Sequence, residues 1–229
     1  MQSHTQAVDA YLEPREKDYY RIVYSFLKKK NIKSVLDIGG AAGDFSWFGD
    51  TGINFVSLDK SQALSDLGRK TRAKKNINHI CQDIILYKPE EIFDATCSFG
   101  TLCTTQNPND FIEQYCKYSS KYVIIMTAIN INSYDILISH RKSESTECNE
   151  KYESSYNIYS KNTLQNIFAH NGFKIISCEP YIYRNKESDR NKESCILKNR
   201  TRMLDSEEIT MNQLEVVLRP HLLIASKID

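Results

Sequence analysis

The segment SVLDIGG, residues 34–40, constrains the fold more than any other part of the sequence. It is a short apolar run that ends in glycines, a pattern typical of a buried strand closing on a tight turn. We predict that residues 44–50 then form one or two turns of helix. A strand, a glycine turn and a helix in this order can hold an anion or a cofactor on backbone N–H groups, so we expect a ligand site here.

Further apolar runs alternate with helical patterns along the chain. The predicted helices cover residues 7–30, 61–75, 108–118 and 160–173. The predicted strands cover residues 34–40, 53–59, 78–83, 93–99, 121–128 and 173–180, and residues 214–227 would form a final strand or a hairpin that Pro220 interrupts. Strands that alternate with helices of this length predict βαβ units, and therefore an α/β fold with a mainly parallel sheet.

The spacing of the glycine loop bears on its ligand. DIGGAAG, residues 37–43, has the pattern DxGxAxG, whereas the dinucleotide pattern GxGxxG needs its third glycine three positions after the second. Asp37 lies two residues before the first glycine, where a carboxylate would repel a pyrophosphate but would suit a cationic ligand. S-adenosylmethionine fits this loop, because its ammonium and sulfonium groups are positive and it carries no phosphate.

In these residues the chain resembles the class I, Rossmann-like, S-adenosylmethionine-dependent methyltransferases. VLDIGGAAGDFS is similar to the family's first motif, with Ala41 where glycine is commonest. VSLDKS, CQDI and FDATCSFGTL resemble the later motifs in order, and the resemblance covers residues 32–178 and the closing LLIASK segment. It implies a Rossmann-like, seven-stranded, mainly parallel sheet flanked by helices, whose last strand is antiparallel.

The resemblance also implies a set of cofactor-binding residues. Asp59 would accept hydrogen bonds from both ribose hydroxyls, Asp83 would bind the adenine amino group, and Ile84 would pack on the adenine ring. The full implied set is Asp37, Gly39, Gly40, Ala41, Gly43, Asp59, Lys60, Asp83, Ile84, Ser98 and Phe99. The alternative for Asp59 and for Asp83 is that each caps the N-terminus of a helix.

No motif assigns a catalytic residue. The proline-aromatic tetrapeptides of adenine and glutamine N-methylation are absent, and CSFGTL stands in their place. His140 lies in the polar region after the fifth strand, where this fold often holds acceptor contacts, so it is a candidate general base; the alternative is an ordinary loop histidine. Tyr19 and Tyr20 would either cover the cofactor or lie in the core, and we expect His79 at the surface or at a cap.

Composition excludes several classes of protein. Thirty basic and 29 acidic residues give a net charge of +1, which argues against a surface that binds nucleic acid or membrane as a whole. No apolar run has membrane-spanning length, and the N-terminus lacks the signal-peptide pattern. The seven cysteines show no CxxC pair and no zinc-type spacing. We therefore predict reduced thiols, no metal and a cytoplasmic protein.

We predict a single methyltransferase domain over residues 1–229. Residues 1–31 would form an N-terminal helical cap, and residues 128–157 and 181–213 would form insertions on the substrate side. The second insertion contains RNKES at 184–188 and again at 190–194. Short polar repeats cannot bury a core, so we expect this segment to be exposed.

The predicted function is methyl transfer from S-adenosylmethionine to a small-molecule acceptor, such as a glycan precursor, an amino sugar or a natural-product intermediate. One alternative is an RNA or protein methyltransferase that uses the basic segments 69–75 and 181–202 as phosphate contacts. Another is a catalytically silent binding protein with the methyltransferase fold. The sequence assigns neither the acceptor atom nor the oligomeric state.

Overall fold

Helices cover the two faces of a central sheet. The computed structural model describes residues 8–9, 11–105, 107–130, 132–140, 154–181, 200–204, 207–211, 217–218 and 220–228. The helices are α1 (Asp18–Lys29), α2 (Asp44–Phe48), α3 (Gln62–Thr71), α4 (Pro108–Lys117) and α5 (Lys161–His170), with a 3-10 turn at Leu102–Thr104. The strands are β1 (Ser34–Ile38), β2 (Asn54–Asp59), β3 (Ile77–Cys81), β4 (Phe93–Phe99), β5 (Ser119–Asn130), β6 (Ile136–His140), β7 (Ser154–Ser160), β8 (Phe173–Pro180), β9 (Arg200–Leu204), β10 (Glu207–Met211), β11 (Val217–Leu218) and β12 (Pro220–Lys227).

Strand β1, which precedes the glycine loop, lies inside the main sheet. The strand order is β3–β2–β1–β4–β5–β12–β8, and the pairs from β3 to β5 are parallel. Strand β12 is antiparallel to both β5 and β8. This arrangement confirms the predicted mainly parallel sheet with an antiparallel last strand. Seven strands form the continuous order, and β6 and β7, joined to it through β5, bring the sheet to nine. The order reverses at β1, between β2 and β4, which is where ligands bind in open α/β sheets.

Both faces of the sheet are covered by helices. Because successive side chains of a strand point to opposite faces, one strand contributes to the core on both sides. On β5, Val123 and Ile125 belong to one buried cluster, and Ile124 and Met126 belong to another. The first cluster includes side chains of α4 and α5, and the second includes those of α1 and α2. Burial on both faces explains why β5 reads as a continuous apolar run.

Three helices begin at residues typical of N-caps. The Ser61 side chain accepts a hydrogen bond from the Leu64 N–H at the start of α3. Asn107 caps α4, which has a proline in its first turn, and Ser160 caps α5. Each cap satisfies an N–H group that has no partner within its helix, and so fixes where the helix starts after its strand.

The N-terminal helix is shorter than predicted. Helix α1 begins at Asp18, whereas the apolar spacing predicts a helix from residue 7. Residues 14–17 are not helical, because Pro14 has no N–H to donate and its ring disfavours the helical conformation of the preceding residue. A separate turn precedes Pro14, in which the Tyr11 N–H donates to the Val8 carbonyl at 2.8 Å.

Strands occur in both predicted insertions. In 128–157, β6 pairs antiparallel with β7, and the last two residues of β5 pair with β7. In 181–213, β9 and β10 form a hairpin to which β11 is added. Both RNKES copies lie outside the described residues. Pro220 separates two strands, as predicted: β11 ends at Leu218, and the final strand begins at Pro220, since proline suits the first residue of a strand. The single domain and the substrate-side role of the insertions stay predictions.

Two expected features concern membranes and metals. Within the described ranges, no helix is both long and apolar enough to cross a bilayer. The same ranges contain no group of three or more His, Cys, Asp or Glu residues that could hold a metal ion.

Candidate functional site

A cavity of about 320 Å³ lies at the carboxyl ends of β1, β2 and β4, where the strand order reverses. It is lined by Tyr11, Ile38, Gly39, Ala41, Leu58, Asp59, Lys60, Leu64, Gln82, Asp83, Ile84, Phe99, Gly100, Thr101, Thr104 and Phe111. Most of these residues lie in the turns that leave β1 to β4. The cavity is large enough for a small ligand, and its lining combines apolar side chains with a few carboxylates, as ligand sites usually do.

The glycine loop is shaped by left-handed backbone conformations. Gly39 has φ +69°, Ala41 has φ +52° and Gly43 has φ +85°. The Gly39 and Gly40 N–H groups donate to the Leu58 carbonyl at 2.8 and 3.2 Å. Glycine adopts these conformations at little cost, which explains why the loop can turn tightly between β1 and α2.

Ala41 departs from the commonest residue of the motif, and its backbone is left-handed. Such a conformation costs a non-glycine residue about 1–2 kcal/mol in the folded state. Glycine would remove this cost, but it would also raise the entropy of the unfolded chain, which offsets part of the gain. We expect Ala41→Gly to raise the free energy of unfolding by about 0.5–1 kcal/mol, measured by urea unfolding. Asn31→Gly is a matched control, because Asn31 has φ 53° but asparagine tolerates this region, so its gain should be smaller. A loss of stability in Ala41→Gly would contradict the assigned strain.

Asp59 joins the loop to the next helix. Its Oδ2 accepts from the Ala41 N–H at 2.9 Å, and its Oδ1 accepts from the Ser61 N–H at 2.8 Å. The N-cap of α3 is Ser61 and not Asp59. A carboxylate oxygen can accept more than one hydrogen bond, and Asp59 is half-buried in the cavity lining, so it retains capacity for ligand hydroxyls.

Asp83 and Ile84 form the opposite part of the lining, after β3. The Asp83 Oδ1 accepts from the Ile85 N–H at 2.9 Å, and this bond closes a turn rather than capping a helix. Ile84 is 6% exposed and belongs to the core cluster below the cavity. The turn therefore places a carboxylate beside an apolar side chain, a pairing that suits a flat ring carrying an amino group.

Asp37 is buried beneath the loop. A Cβ added at Gly40 would lie 2.7 Å from the Asp37 Oδ2, and the Ser46 hydroxyl donates to that oxygen at 3.5 Å. Burial, together with the negative charge of Asp59, raises the pKa of Asp37 to about 8. A buried carboxyl of this kind favours a nearby positive charge, because a cation would stabilise its ionised form.

The cavity brings together seven of the eleven residues implied by the resemblance. These are Gly39, Ala41, Asp59, Lys60, Asp83, Ile84 and Phe99. Asp37, Gly40, Gly43 and Ser98 lie outside its lining. The Ser98 side chain is buried and lies 3.1 Å from the Tyr115 hydroxyl, so it contacts α4 below the sheet. Any contact of Ser98 with a ligand would therefore come from its backbone.

Several lining residues were missed by sequence reasoning. Thr101 lies within the motif FDATCSFGTL and Thr104 follows it by two residues, so a signal for both existed in the sequence. Tyr11 and Phe111 come from the N-terminal turn and from α4. No local pattern marks these two, because only the tertiary fold carries them to the cavity.

Other sequence-predicted residues have distinct locations. Tyr19 and Tyr20 are core residues, 3% and 5% exposed. The expectation for His79 is wrong: the ring is buried, and a Cβ added at Gly43 or Gly68 would lie 2.5 or 2.6 Å from it. Burial lowers the pKa of His79, which keeps the ring neutral between the loop and α3. His140 ends β6, and its backbone pairs with Ser154; its role as a general base stays a prediction.

Phe99, which lines the cavity, belongs to an aromatic cluster. The Tyr19 ring packs against Phe99 with centroids 5.4 Å apart, and against Tyr181 at 5.5 Å. Tyr20 also contacts Phe99, at 5.5 Å. The wall next to Phe99 is therefore aromatic and rigid.

The sequence of the chain matches a known protein family. Residues 11–178 match the family model described as a methyltransferase domain. A comparison by sequence with curated proteins gave no significant match.

Solved structures that hold S-adenosylmethionine or S-adenosylhomocysteine have the same fold. The Burkholderia thailandensis 1,6-didemethyltoxoflavin-N1-methyltransferase, with 1,6-didemethyltoxoflavin and S-adenosylhomocysteine bound, has a TM-score of 0.61 at 11% identity, covering 99% of this chain and 84% of that one. The N-terminal domain of EvdMO1 with S-adenosylhomocysteine bound has a TM-score of 0.61 at 10% identity, covering 100% and 98%. The magnesium protoporphyrin IX methyltransferase from Synechocystis PCC 6803, with S-adenosylmethionine bound, has a TM-score of 0.56 at 14% identity, covering 91% and 78%.

The family match covers well over half of the chain, and the fold and the cavity agree with it. The chain therefore belongs to the methyltransferase-domain family and is a class I methyltransferase that uses S-adenosylmethionine.

Proposed function

We propose that the cavity binds S-adenosylmethionine in one orientation, with the ribose at Asp59, the adenine between Asp83 and Ile84, and the methionine end over the glycine loop towards Phe99. The observation that carries this proposal is the convergence of Asp59 and Asp83, which follow neighbouring strands, on one cavity. The ribose cis-diol matches the free acceptor capacity of Asp59. Buried Asp37 suits the ammonium group, and among the described residues that line the cavity Lys60 is the one Lys or Arg side chain available to a phosphate.

The residues of the chain would act by orientation. The sulfonium group of the bound cofactor supplies the methyl group, which an acceptor lone pair takes in an in-line displacement. This reaction needs little beyond alignment and a deprotonated acceptor. Asp59 and the loop hold the nucleoside still, and the aromatic wall at Phe99 limits the approach to the methyl group. His140 would serve as general base if the acceptor is a hydroxyl or an ammonium.

We propose a small-molecule acceptor. The near-neutral net charge supports it, and so do the substrates named for the toxoflavin and protoporphyrin methyltransferases of the same fold. The RNA alternative needs segment 69–75 as a phosphate-binding surface. Arg72 in that segment is fully buried, Arg69 pairs with Asp66, and Lys74 donates to the Trp47 carbonyl, so three of the five cations are engaged within the protein.

The class of methyl acceptor is tested by supplying small molecules and RNA, in separate reactions, to the same protein. Purified chain and labelled S-adenosylmethionine are incubated with a metabolite extract and, separately, with total RNA, and Asp59→Ala serves as the control. We expect label in small molecules with the wild type only. RNA binding that is tight at physiological salt, falls at higher salt and accompanies RNA labelling would overturn the proposal. Cofactor binding without transfer to any pool would favour the silent binding protein.

A pH dependence follows from Asp37. Its pKa is raised to about 8 from 3.8, so between these values the folded chain binds a proton that the unfolded chain releases. Stability from this group is therefore fully present below pH 3.8 and is lost progressively as pH rises from 3.8 to about 8. A cofactor ammonium would lower the pKa of Asp37, so binding should tighten from pH 6 to pH 7.5, by up to about tenfold per pH unit.

Calorimetry with S-adenosylhomocysteine measures this trend, and Asp37→Asn is its control. The asparagine cannot ionise, so its affinity should not vary over the same range. An equal pH trend in both proteins would show that Asp37 is not the titrating group.

A further inference from the structure

Arg72 is a buried cation that cofactor binding does not explain. It is 0% exposed and ends α3, at the segment that sequence reasoning assigned to an exposed basic surface. Its Nε donates to the Asp44 Oδ1 at 2.7 Å, and Asp44 is also buried. Asp44 is the first residue of α2 and directly follows the glycine loop. The pair therefore joins α3 to the end of the loop.

The guanidinium has two further partners. One terminal nitrogen donates to the Thr71 hydroxyl at 2.7 Å. The other donates to the backbone carbonyl of Tyr11 at 2.6 Å, across 61 residues of sequence. The planar guanidinium can hold three partners at fixed angles, which the ammonium group of lysine cannot. Arg72 thus ties the N-terminal turn to the glycine loop through a single side chain.

Tyr11 makes this tie relevant to the cavity. Tyr11 is part of the lining, together with Asp59 and Lys60, although it precedes the rest of the lining by 27 residues or more. Burial raises the pKa of the Tyr11 phenol, as do the nearby charges of Asp44 and Asp59. The phenol therefore lies close to both the carboxylate bound by Arg72 and the one assigned to the ribose.

Other contacts of the N-terminal turn in the part of the chain described here join residues close in sequence, such as the Tyr11 N–H bond to the Val8 carbonyl and the exposed Glu16–Arg21 ion pair. Residues 12–13 and 15–17 are exposed, and Leu12 is 52% exposed. Residues 14–17 are not helical and connect the turn to α1. A segment of this kind opens at low cost unless a specific contact holds it. The Arg72 bond to the Tyr11 carbonyl is such a contact.

We propose that Arg72 is a positioning residue for the cofactor, which holds the Tyr11 turn closed over the cavity and couples that closure to the glycine loop through Asp44. The proposal rests on the proposed binding of S-adenosylmethionine in the cavity. Arg72 would act through Tyr11 and would not itself touch the cofactor. Its loss should therefore raise Kd and KM for the cofactor far more than it lowers kcat.

The test is a double-mutant cycle on the affinity for S-adenosylhomocysteine. Arg72→Lys keeps a cation for Asp44 but lacks the guanidinium that reaches the Tyr11 carbonyl. Tyr11→Ala removes the covering side chain but keeps that carbonyl. We expect each single variant to weaken binding about five- to twentyfold and the double variant to be little weaker than either, because both remove one function. Arg69→Lys, on the same helix and paired with exposed Asp66, should bind normally.

Wild-type affinity in folded Arg72→Lys, or losses that simply add in the double variant, would overturn the proposal. A second measurement applies if Arg72→Lys does not fold. Trypsin should cut the wild-type chain after Arg15 at least tenfold more slowly when S-adenosylhomocysteine is present, and Tyr11→Ala should lose most of that protection. Equal cleavage with and without the ligand would also overturn it. If the wild-type chain does not bind S-adenosylhomocysteine at all, the proposed function itself fails, and the role of Arg72 with it.

Discussion

Gly39→Ala is expected to cost about 2–5 kcal/mol of stability and to reduce cofactor affinity at least tenfold. A Cβ at this position would overlap the Thr101 side chain and lie 2.9 Å from the Thr101 Cβ. Threonine is branched at Cβ and cannot easily turn away, so either β1 or the turn after β4 must shift. Both segments line the cavity, which links the stability loss to the loss of binding.

Gly172→Ala separates the cost of the left-handed backbone from the cost of the overlap with Thr101. Gly172 has φ +74°, close to the φ +69° of Gly39, but nothing lies within 4 Å of an added Cβ. This control should lose only the backbone term, about 1 kcal/mol, and should bind S-adenosylhomocysteine normally. Urea unfolding and calorimetry measure both quantities. Equal stability losses in the two variants would mean that Thr101 does not restrict the loop.

Asp59→Ala is expected to weaken S-adenosylhomocysteine binding by about 1–3 kcal/mol, because two ribose hydroxyls lose a charged acceptor. Stability should also fall, by about 1–2 kcal/mol, since the carboxylate accepts from the Ala41 and Ser61 N–H groups. Affinity is therefore measured well below the unfolding temperature. Asp66→Ala, an exposed carboxylate on α3, is the matched control and should bind normally.

A modified ligand distinguishes ribose binding from loop support. The wild type should bind S-adenosylhomocysteine more tightly than its 2′-deoxy analogue, and Asp59→Ala should bind the two equally. If Asp59→Ala still prefers the ribose form, the hydroxyls have another partner and Asp59 acts only through the loop.

The sequence was informative wherever a local pattern decides the structure. The predicted bounds of β4 equal the observed ones, and those of β2 and β3 differ from the observed ones by at most two residues. Each strand contains apolar residues and is flanked by polar ones, a pattern that sequence alone shows. Asp59 and Asp83 follow strands that are adjacent and parallel, so order along the chain was enough to predict that they meet. The Ser61 cap was also readable from residue type.

Contacts between segments that are distant in sequence could not be predicted from local patterns. Arg72 belongs to a run of basic residues that is typical of a solvated helix end, and only the fold brings Asp44 and the Tyr11 carbonyl to it. His79 appeared exposed because a lone histidine has no pattern, yet glycines at 43 and 68 leave room for its ring in the interior. The strands in the second insertion lie among polar residues, where periodicity gives little signal.

The most direct test of the central claim is calorimetry of the wild-type chain with S-adenosylhomocysteine and, in a separate titration, with NAD. We predict saturable one-to-one binding of S-adenosylhomocysteine, weakened in Asp59→Ala, and no heat of binding with NAD. The Asp37 carboxylate and the DxGxAxG spacing disfavour a pyrophosphate on the loop, whereas Asp59 and Asp83 are proposed to bind the ribose and the adenine. Tight binding of NAD without a response to S-adenosylhomocysteine would contradict the account.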